Sequence, residues 1–166
     1  MRKKLLVLLA AAMLLLLVSI PASATPPQNA AGHWTYLPRG DELLKEAGGN
    51  IFLWNVEDAV WTGTFDGESV DTGIVVIHNS GSAYFNGNVV FESVVVDGKT
   101  GYLELRVNGR KPDLTPDTEW KGHWVISAAG GELEGLKGQG SWWGPGWNGN
   151  PEEWGHIDYD GKIHFE

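Results

Sequence analysis

The chain has 166 residues, no cysteine, and a formal net charge of −9 from 12 basic and 21 acidic residues. This length suits one domain. The missing cysteines exclude disulfides and thiolate chemistry, and the acidity argues against a nucleic-acid partner, which would require a basic surface. Nine Trp and 23 Gly are many for so small a chain and need a structural explanation.

The first 24 residues have the pattern of a secretory signal. Met1–Lys4 is basic, residues 5–20 form an almost unbroken apolar run, and Ala22–Ala24 supplies the small side chains of a cleavage site. The run is shorter than the ~20 apolar residues of a membrane-spanning helix, so an uncleaved anchor is only the alternative. We predict a signal peptide over 1–24 and a secreted protein, extracellular or periplasmic, with no membrane contact after cleavage. The charge of the remaining chain is −12, because the signal carries three basic and no acidic residues.

Residues 25–47 are predicted to precede the main domain as a tether and one short N-terminal helix. Thr25–Ala31 shows no periodicity. Asp41–Ala47 begins with acidic residues and is followed by Gly48 and Gly49, an arrangement that starts and ends a helix. The main domain is therefore predicted over 48–166.

The rest of the chain has the pattern of a β protein. Leu103, Leu105 and Val107 alternate with polar residues, which is the period of a half-buried strand. The predicted strands are 50–56, 59–66, 70–78, 83–96, 99–107, 118–126, 133–142 and 154–165. Dipeptides that favour tight turns separate or interrupt them, namely Asp66-Gly67, Asn86-Gly87, Asp97-Gly98, Asn108-Gly109 and Asp160-Gly161. Successive short strands indicate an antiparallel sandwich or a closed barrel, and closure removes the edge strands that invite aggregation.

A glycine-rich segment, Gly130–Gly140, follows a Trp-bearing strand, Trp120–Ser127. This order resembles the allene oxide cyclase barrel superfamily, and within it an uncharacterised bacterial branch. Three upstream segments fit the same order of elements: Gly48–Phe52, Trp61–Gly67 and Asp97–Leu105. The resemblance implies an all-β fold, a closed antiparallel six- to eight-stranded β-barrel of the allene oxide cyclase or dirigent type. It also implies a cavity for an apolar or phenolic ligand, but no motif of this chain matches the family's catalytic positions.

Two groups of aromatic residues are the candidate ligand-binding residues. An interior set would either line a cavity or fill a solid core, because an eight-stranded barrel is near the size at which both occur. A second group would either present rings to a sugar or form a lid over one end of the barrel. The interior set is Trp54, Trp61, Phe85, Phe91, Trp120 and Trp124; the second group is Trp142, Trp143 and Trp147, with Trp154 nearby.

The sequence predicts no metal site and no cofactor. His123, His156 and Asp158 have suitable chemistry for zinc, but their spacing matches no metal motif. Gly144–Gly149 matches G-x-G-x-x-G literally, yet it follows no βα unit and therefore does not indicate a dinucleotide. The glycines near Trp142, such as Gly140, are expected to relieve crowding inside a barrel.

These patterns together predict a secreted small β-barrel that binds an apolar or aromatic small molecule in its interior. A cyclase or isomerase is an alternative that rests on the family resemblance alone, and the balance leans against an enzyme. A carbohydrate-binding module that uses residues 142–154 for a glycan partner is the other alternative.

Overall fold

The computed structural model describes residues 25–115, 117–146 and 154–166. Eight strands are found there: β1 Gln28–Ala47, β2 Asn50–Gly63, β3 Asp66–Ile77, β4 Ala83–Val96, β5 Lys99–Lys111, β6 Trp120–Gly131, β7 Leu136–Gly146 and β8 Gly155–Phe165. Each strand pairs antiparallel with the next, and β8 pairs with β1 to close the barrel. The all-β prediction is confirmed, as are the antiparallel pairing and a strand number within the predicted six to eight. The predicted signal peptide over 1–24 lies outside the described residues.

The N-terminal helix predicted over Asp41–Ala47 is wrong. β1 continues through this segment to Ala47, which pairs with Asn50 of β2. Gly48 and Gly49 do end the element, but with φ of 61° and 79° they form the turn of a hairpin. Pairing with β2, which local helix propensity cannot detect, decides the conformation. The barrel therefore begins at Gln28 rather than at residue 48. No helix among the described ranges is long and apolar enough to cross a membrane.

Glycines that the sequence assigns to turns serve two different purposes. Asp97 and Gly98 have φ of 53° and 74° and form the predicted tight turn between β4 and β5. Asn86-Gly87, Asn108-Gly109 and Asp160-Gly161 lie inside strands, so turns at these three places are wrong. A Cβ atom at Gly161 would lie 2.5 Å from Cζ2 of Trp124. Glycine is needed there because this ring and the backbone carbonyl oxygen of Gln139, 2.4 Å away, occupy the space of a side chain.

The same role is found at Gly140, as the sequence predicts. Gly140 pairs with Gly161 across β7 and β8, and a Cβ at Gly140 would lie 2.6 Å from Cε2 of Trp124. The two facing glycines thus leave room for one indole inside the barrel. This pairing gives two of the glycines and one of the tryptophans in the sequence a common structural reason.

Aromatic rings fill most of the barrel interior. Trp34 stacks on Trp61 with ring centroids 4.2 Å apart, and Phe65 stacks on Tyr159 at 5.4 Å. Trp61 contacts Tyr159 at 5.3 Å, and Trp124 meets the ring of Phe65 edge-on at 5.4 Å. Such contacts leave a solid core rather than a hollow barrel over this part of its length.

One end of the barrel, here called the closed end, is plugged by its own turns. It contains the connections at 64–65, 97–98 and 132–135. Phe65 and Leu133 belong to these turns, yet both are completely buried under the barrel. The other end, here called the mouth, contains the turns at 48–49 and 78–82, together with the ends of β5 at Lys111 and β7 at Gly146 and the starts of β6 at Trp120 and β8 at Gly155.

Candidate functional site

A cavity of about 70 Å³ opens at the mouth among inward-facing side chains of all eight strands. We call it the mouth pocket. Most of its lining is apolar or aromatic, and one wall is polar. The apolar side is Trp34, Tyr36, Val75, Phe85, Val89, Val107, Trp120, Trp142 and Ile157, and the polar wall is Asn55, Glu57 and Asp71.

The polar wall follows from strand alternation. Asn55, Glu57 and Trp61 lie at odd positions of β2, so their side chains point to the same, inner face. Glu57 is the direct cross-strand partner of Asp71 on β3. Directly opposed residues have Cβ atoms about 4.5–5.5 Å apart, so two carboxyl groups face the pocket side by side. Asp71 is only 4% exposed, and Asn55 is equally buried.

Hydrogen bonds connect the polar wall to the aromatic core. The indole N–H of Trp61 donates to Oγ of Ser69 at 2.9 Å, and the Ser69 hydroxyl donates to Oδ1 of Asp71 at 2.6 Å. Toward β1, Nδ2 of Asn55 donates to Oδ1 of Asp41, its cross-strand partner, at 3.0 Å. The Asp71 carboxyl is therefore held in one orientation by a chain that begins in the core.

Burial changes the ionisation of both acids. It raises the pKa of Glu57 to about 8, helped by the charge of Asp71 and only partly opposed by a hydrogen bond from Asn55. Burial likewise raises the pKa of Asp71 to about 7 against the Ser69 hydrogen bond. Near neutral pH the pair consequently retains a proton that ordinary surface carboxyls have lost.

No basic side chain neutralises this pair within the described ranges. The ion pairs found there all involve other residues: Arg39–Asp58, Lys121–Glu119, Lys137–Glu166 and His156–Asp158. The further charges that act on Glu57 and Asp71 belong to Asp41 and Asp58, which are acidic too. The mouth pocket thus combines an electronegative wall with an aromatic one.

The predicted interior residues divide into three groups. Phe85 and Trp120 line the mouth pocket, whereas Trp61, Phe91 and Trp124 are fully buried in the core below it. The interior position predicted for Trp54 is wrong, because it lies on the outer face and is 38% exposed. The reason is that β2 runs unbroken from Asn50 to Gly63. Without the predicted interruption at 57–58, Trp54 and Trp61 must face opposite sides.

The predicted loop aromatics are also divided by strand alternation. β7 extends to Gly146, beyond the predicted end at 142. Trp142 consequently points inward and lines the mouth pocket, while its neighbour Trp143 lies on the outer face, partly exposed. Trp154 is exposed just before β8. Trp147 lies outside the described residues, and the binding role of all these residues stays a prediction.

Sequence reasoning missed Asn55, Glu57 and Asp71. One sequence signal could have found Glu57. It precedes Trp61 by four residues, and residues an even number of positions apart lie on the same face of a strand, so a core position for Trp61 places Glu57 inside as well. Predicting two short strands in place of β2 hid this relation.

His156 and Asp158 do approach each other, with Nε2 and Oδ1 3.3 Å apart. The described residues contain no group of three or more His, Cys, Asp or Glu side chains suited to a metal ion.

Comparison with known proteins gives a fold and no activity. No family model matches the sequence, and no curated protein matches it significantly. The fold is similar to the crystal structure of a protein of unknown function from the DUF3224 family of Shewanella oneidensis MR-1. The TM-score is 0.62 and the identity 19%, over 85% of this chain and 98% of that one. At this identity the similarity concerns the architecture alone.

Proposed function

We propose that this protein binds a small organic molecule whose end enters the mouth pocket. The observation that carries the proposal is the pocket itself, which is an aromatic-lined concavity at the end of a barrel with a few polar groups on one wall. Small-molecule sites have this composition and occur in barrel mouths. The proposal keeps the apolar or aromatic ligand expected from the sequence and moves its site from the barrel centre to one end.

The volume of the pocket limits how much of the ligand can enter. Pockets that enclose a drug-sized molecule have ~300–1,000 Å³, and a cavity of ~150 Å³ holds one benzene molecule. The mouth pocket, with about 70 Å³, accommodates a head group smaller than a six-membered ring. The remainder of the ligand must therefore lie above the mouth.

An apolar rim is available for that remainder. Tyr36 is the last residue of β1 that pairs with β8 in the described structure. Beyond it β1 continues to Ala47, paired with β2 alone. Leu53 pairs with Leu43 on one side and with Val75 on the other, and Val75 lines the pocket. Leu43 is 56% exposed, so this apolar surface continues from the pocket into solvent. Exposed apolar surface next to a pocket is typical of a binding site.

The test uses the purified protein and a neutral hydrophobic dye, Nile red, whose diethylamino group is small enough to enter the pocket while its ring system lies above the mouth. We expect saturable transfer of Trp emission to the dye, with affinity at least tenfold lower in Trp120→Ala, which opens the wall of the pocket. Trp54→Ala is the matched control, because Trp54 lies on the outer face. Equal affinities in the two variants, or no dye binding by the unmodified protein, would contradict the proposal.

A cyclase or isomerase is a second candidate that one observation favours. Such an enzyme needs polar groups inside the cavity, and Glu57 and Asp71 have pKa values of about 8 and 7, suited to proton transfer near neutral pH. The distinguishing result is a Glu57→Gln variant that retains ligand and no longer converts it. If Glu57→Gln converted a ligand at an unchanged rate, an enzymatic role for this pair would be excluded.

A further inference from the structure

The facing carboxyl pair of the mouth pocket lacks a counter-charge. Opposed positions of a β-ladder favour opposite charges, and like charges there are destabilising. Glu57 and Asp71 nevertheless face each other, with no basic side chain of the described residues within ion-pair distance. A bound cation would supply the missing charge, whereas an anionic head group would add to the repulsion.

The aromatic wall of the pocket independently favours an organic cation. Trp142 is in ring contact with both Trp34 and Trp120, at centroid distances of 5.9 and 6.4 Å, and all three line the pocket. The faces of Trp rings attract ammonium groups, and aromatic enclosures are a common means of binding them. Aromatic rings are not ligands for a metal ion, which prefers oxygen, nitrogen or sulfur atoms.

Building on the proposed function, we propose that the head group bound in the mouth pocket is a protonated amine, held between the Glu57–Asp71 carboxyls and the Trp34–Trp120–Trp142 wall. An ammonium group at the end of an alkyl chain suits the small volume of about 70 Å³. Its apolar chain then continues along the Leu43–Leu53 rim. The ligand class is thus an amphiphilic amine. Its binding favours the ionised form of both carboxyls, so a proton passes from the pair to the buffer.

The experiment compares three probes with the same chain length, octylamine, 1-octanol and octanoate, as competitors of Nile red at pH 7 and 0.15 M salt. Octylamine is protonated under these conditions, and the salt screens attraction to the net negative surface. We expect octylamine to displace the dye at a concentration at least tenfold lower than octanol, with octanoate the weakest. In Glu57→Gln and in Asp71→Asn this advantage should fall below threefold.

Glu68→Gln is the matched control, because Glu68 is an exposed acid on the outer face of β3, three residues before Asp71. It should keep the full advantage of the amine. Equal displacement by octylamine and octanol would overturn the amine proposal and leave the proposed function intact. An amine advantage that survives both pocket variants, or that disappears in Glu68→Gln, would also overturn it. If neither the dye nor any probe binds, the proposed function itself fails.

Discussion

The buried polar groups at the closed end of the barrel keep their normal ionisation state, whereas those at the mouth do not. At the closed end, the Tyr159 hydroxyl accepts the backbone N–H of Phe65 at 2.9 Å and donates to the carbonyl of Thr62 at 3.3 Å. Burial raises the pKa of Tyr159 to about 12, which only reinforces its normal neutral state. At the mouth, burial keeps Glu57 and Asp71 from their normal ionised state.

This difference indicates a division of labour between the two ends. The closed end has a satisfied polar group and the completely buried side chains of Phe65 and Leu133, all of which stabilise the fold. At the mouth two acids face each other, although an apolar or an oppositely charged pair at these positions would make the fold more stable. Strongly shifted carboxyl groups in a pocket are common at functional sites, and this contrast is the physical reason to place the ligand at the mouth.

The largest predicted effect is on stability, and it compares a Phe→Ala substitution at the closed end with one at the mouth. Phe65→Ala removes a completely buried ring at the closed end and should lower the free energy of unfolding by about 3–5 kcal/mol. Phe85→Ala removes a partly buried ring at the mouth, so we expect roughly half that loss. Urea denaturation of both variants measures the difference. Equal losses would show that the mouth is packed as firmly as the closed end.

The next effect is a dependence of stability on pH that originates at the mouth. Between pH 4.5 and about 8 the folded protein binds more protons at Glu57 than the unfolded chain does. The free energy of unfolding should therefore fall as pH rises through this window, by up to about 1.4 kcal/mol per pH unit. Glu57→Gln should flatten the decline and stabilise the protein at pH 8. An unchanged pH profile in this variant would show that the raised pKa of Glu57 does not cause the pH dependence, and would contradict the electrostatic difference between the two ends.

The smallest effect concerns the glycines that accommodate Trp124 next to the closed end. Gly161→Ala would place a methyl group 2.5 Å from the indole of Trp124, and we expect a loss of about 1–2 kcal/mol from overpacking. Gly130→Ala is the control, since the nearest atom, Cβ of Tyr102, is 3.9 Å away. Thermal unfolding should separate the two variants by several degrees. Equal melting temperatures would mean that the indole and the carbonyl oxygen of Gln139, 2.4 Å from the new methyl group, both move aside at little cost.

The fold could be predicted from local patterns, because alternation such as that of Leu103, Leu105 and Val107 is visible within one strand. All three are buried, as expected. The segment Asp41–Ala47 could not be predicted in this way, since its strand conformation depends on pairing with Asn50–Asn55 of β2. Short-range helix signals compete with such pairing and lose to it.

Less of the candidate site than of the fold could be predicted from the sequence. Aromatic content pointed to Phe85, Trp120 and Trp142, which do line the mouth pocket. Whether an acid faces inward depends on where a strand begins and ends, and an error of one residue inverts every side chain. Glu57 and Asp71 also come together only through the register of β2 and β3, which no single strand encodes.

The most direct test of the central claim, that the mouth pocket is the ligand site, is an NMR titration of the indole N–H signals with octylamine. Trp34, Trp120 and Trp142 line the pocket, whereas Trp54 and Trp143 lie on the outer face. We predict saturable shifts of the three pocket signals and unchanged outer signals. Shifts confined to Trp54 and Trp143 would contradict the account and place the binding surface on the outside of the barrel.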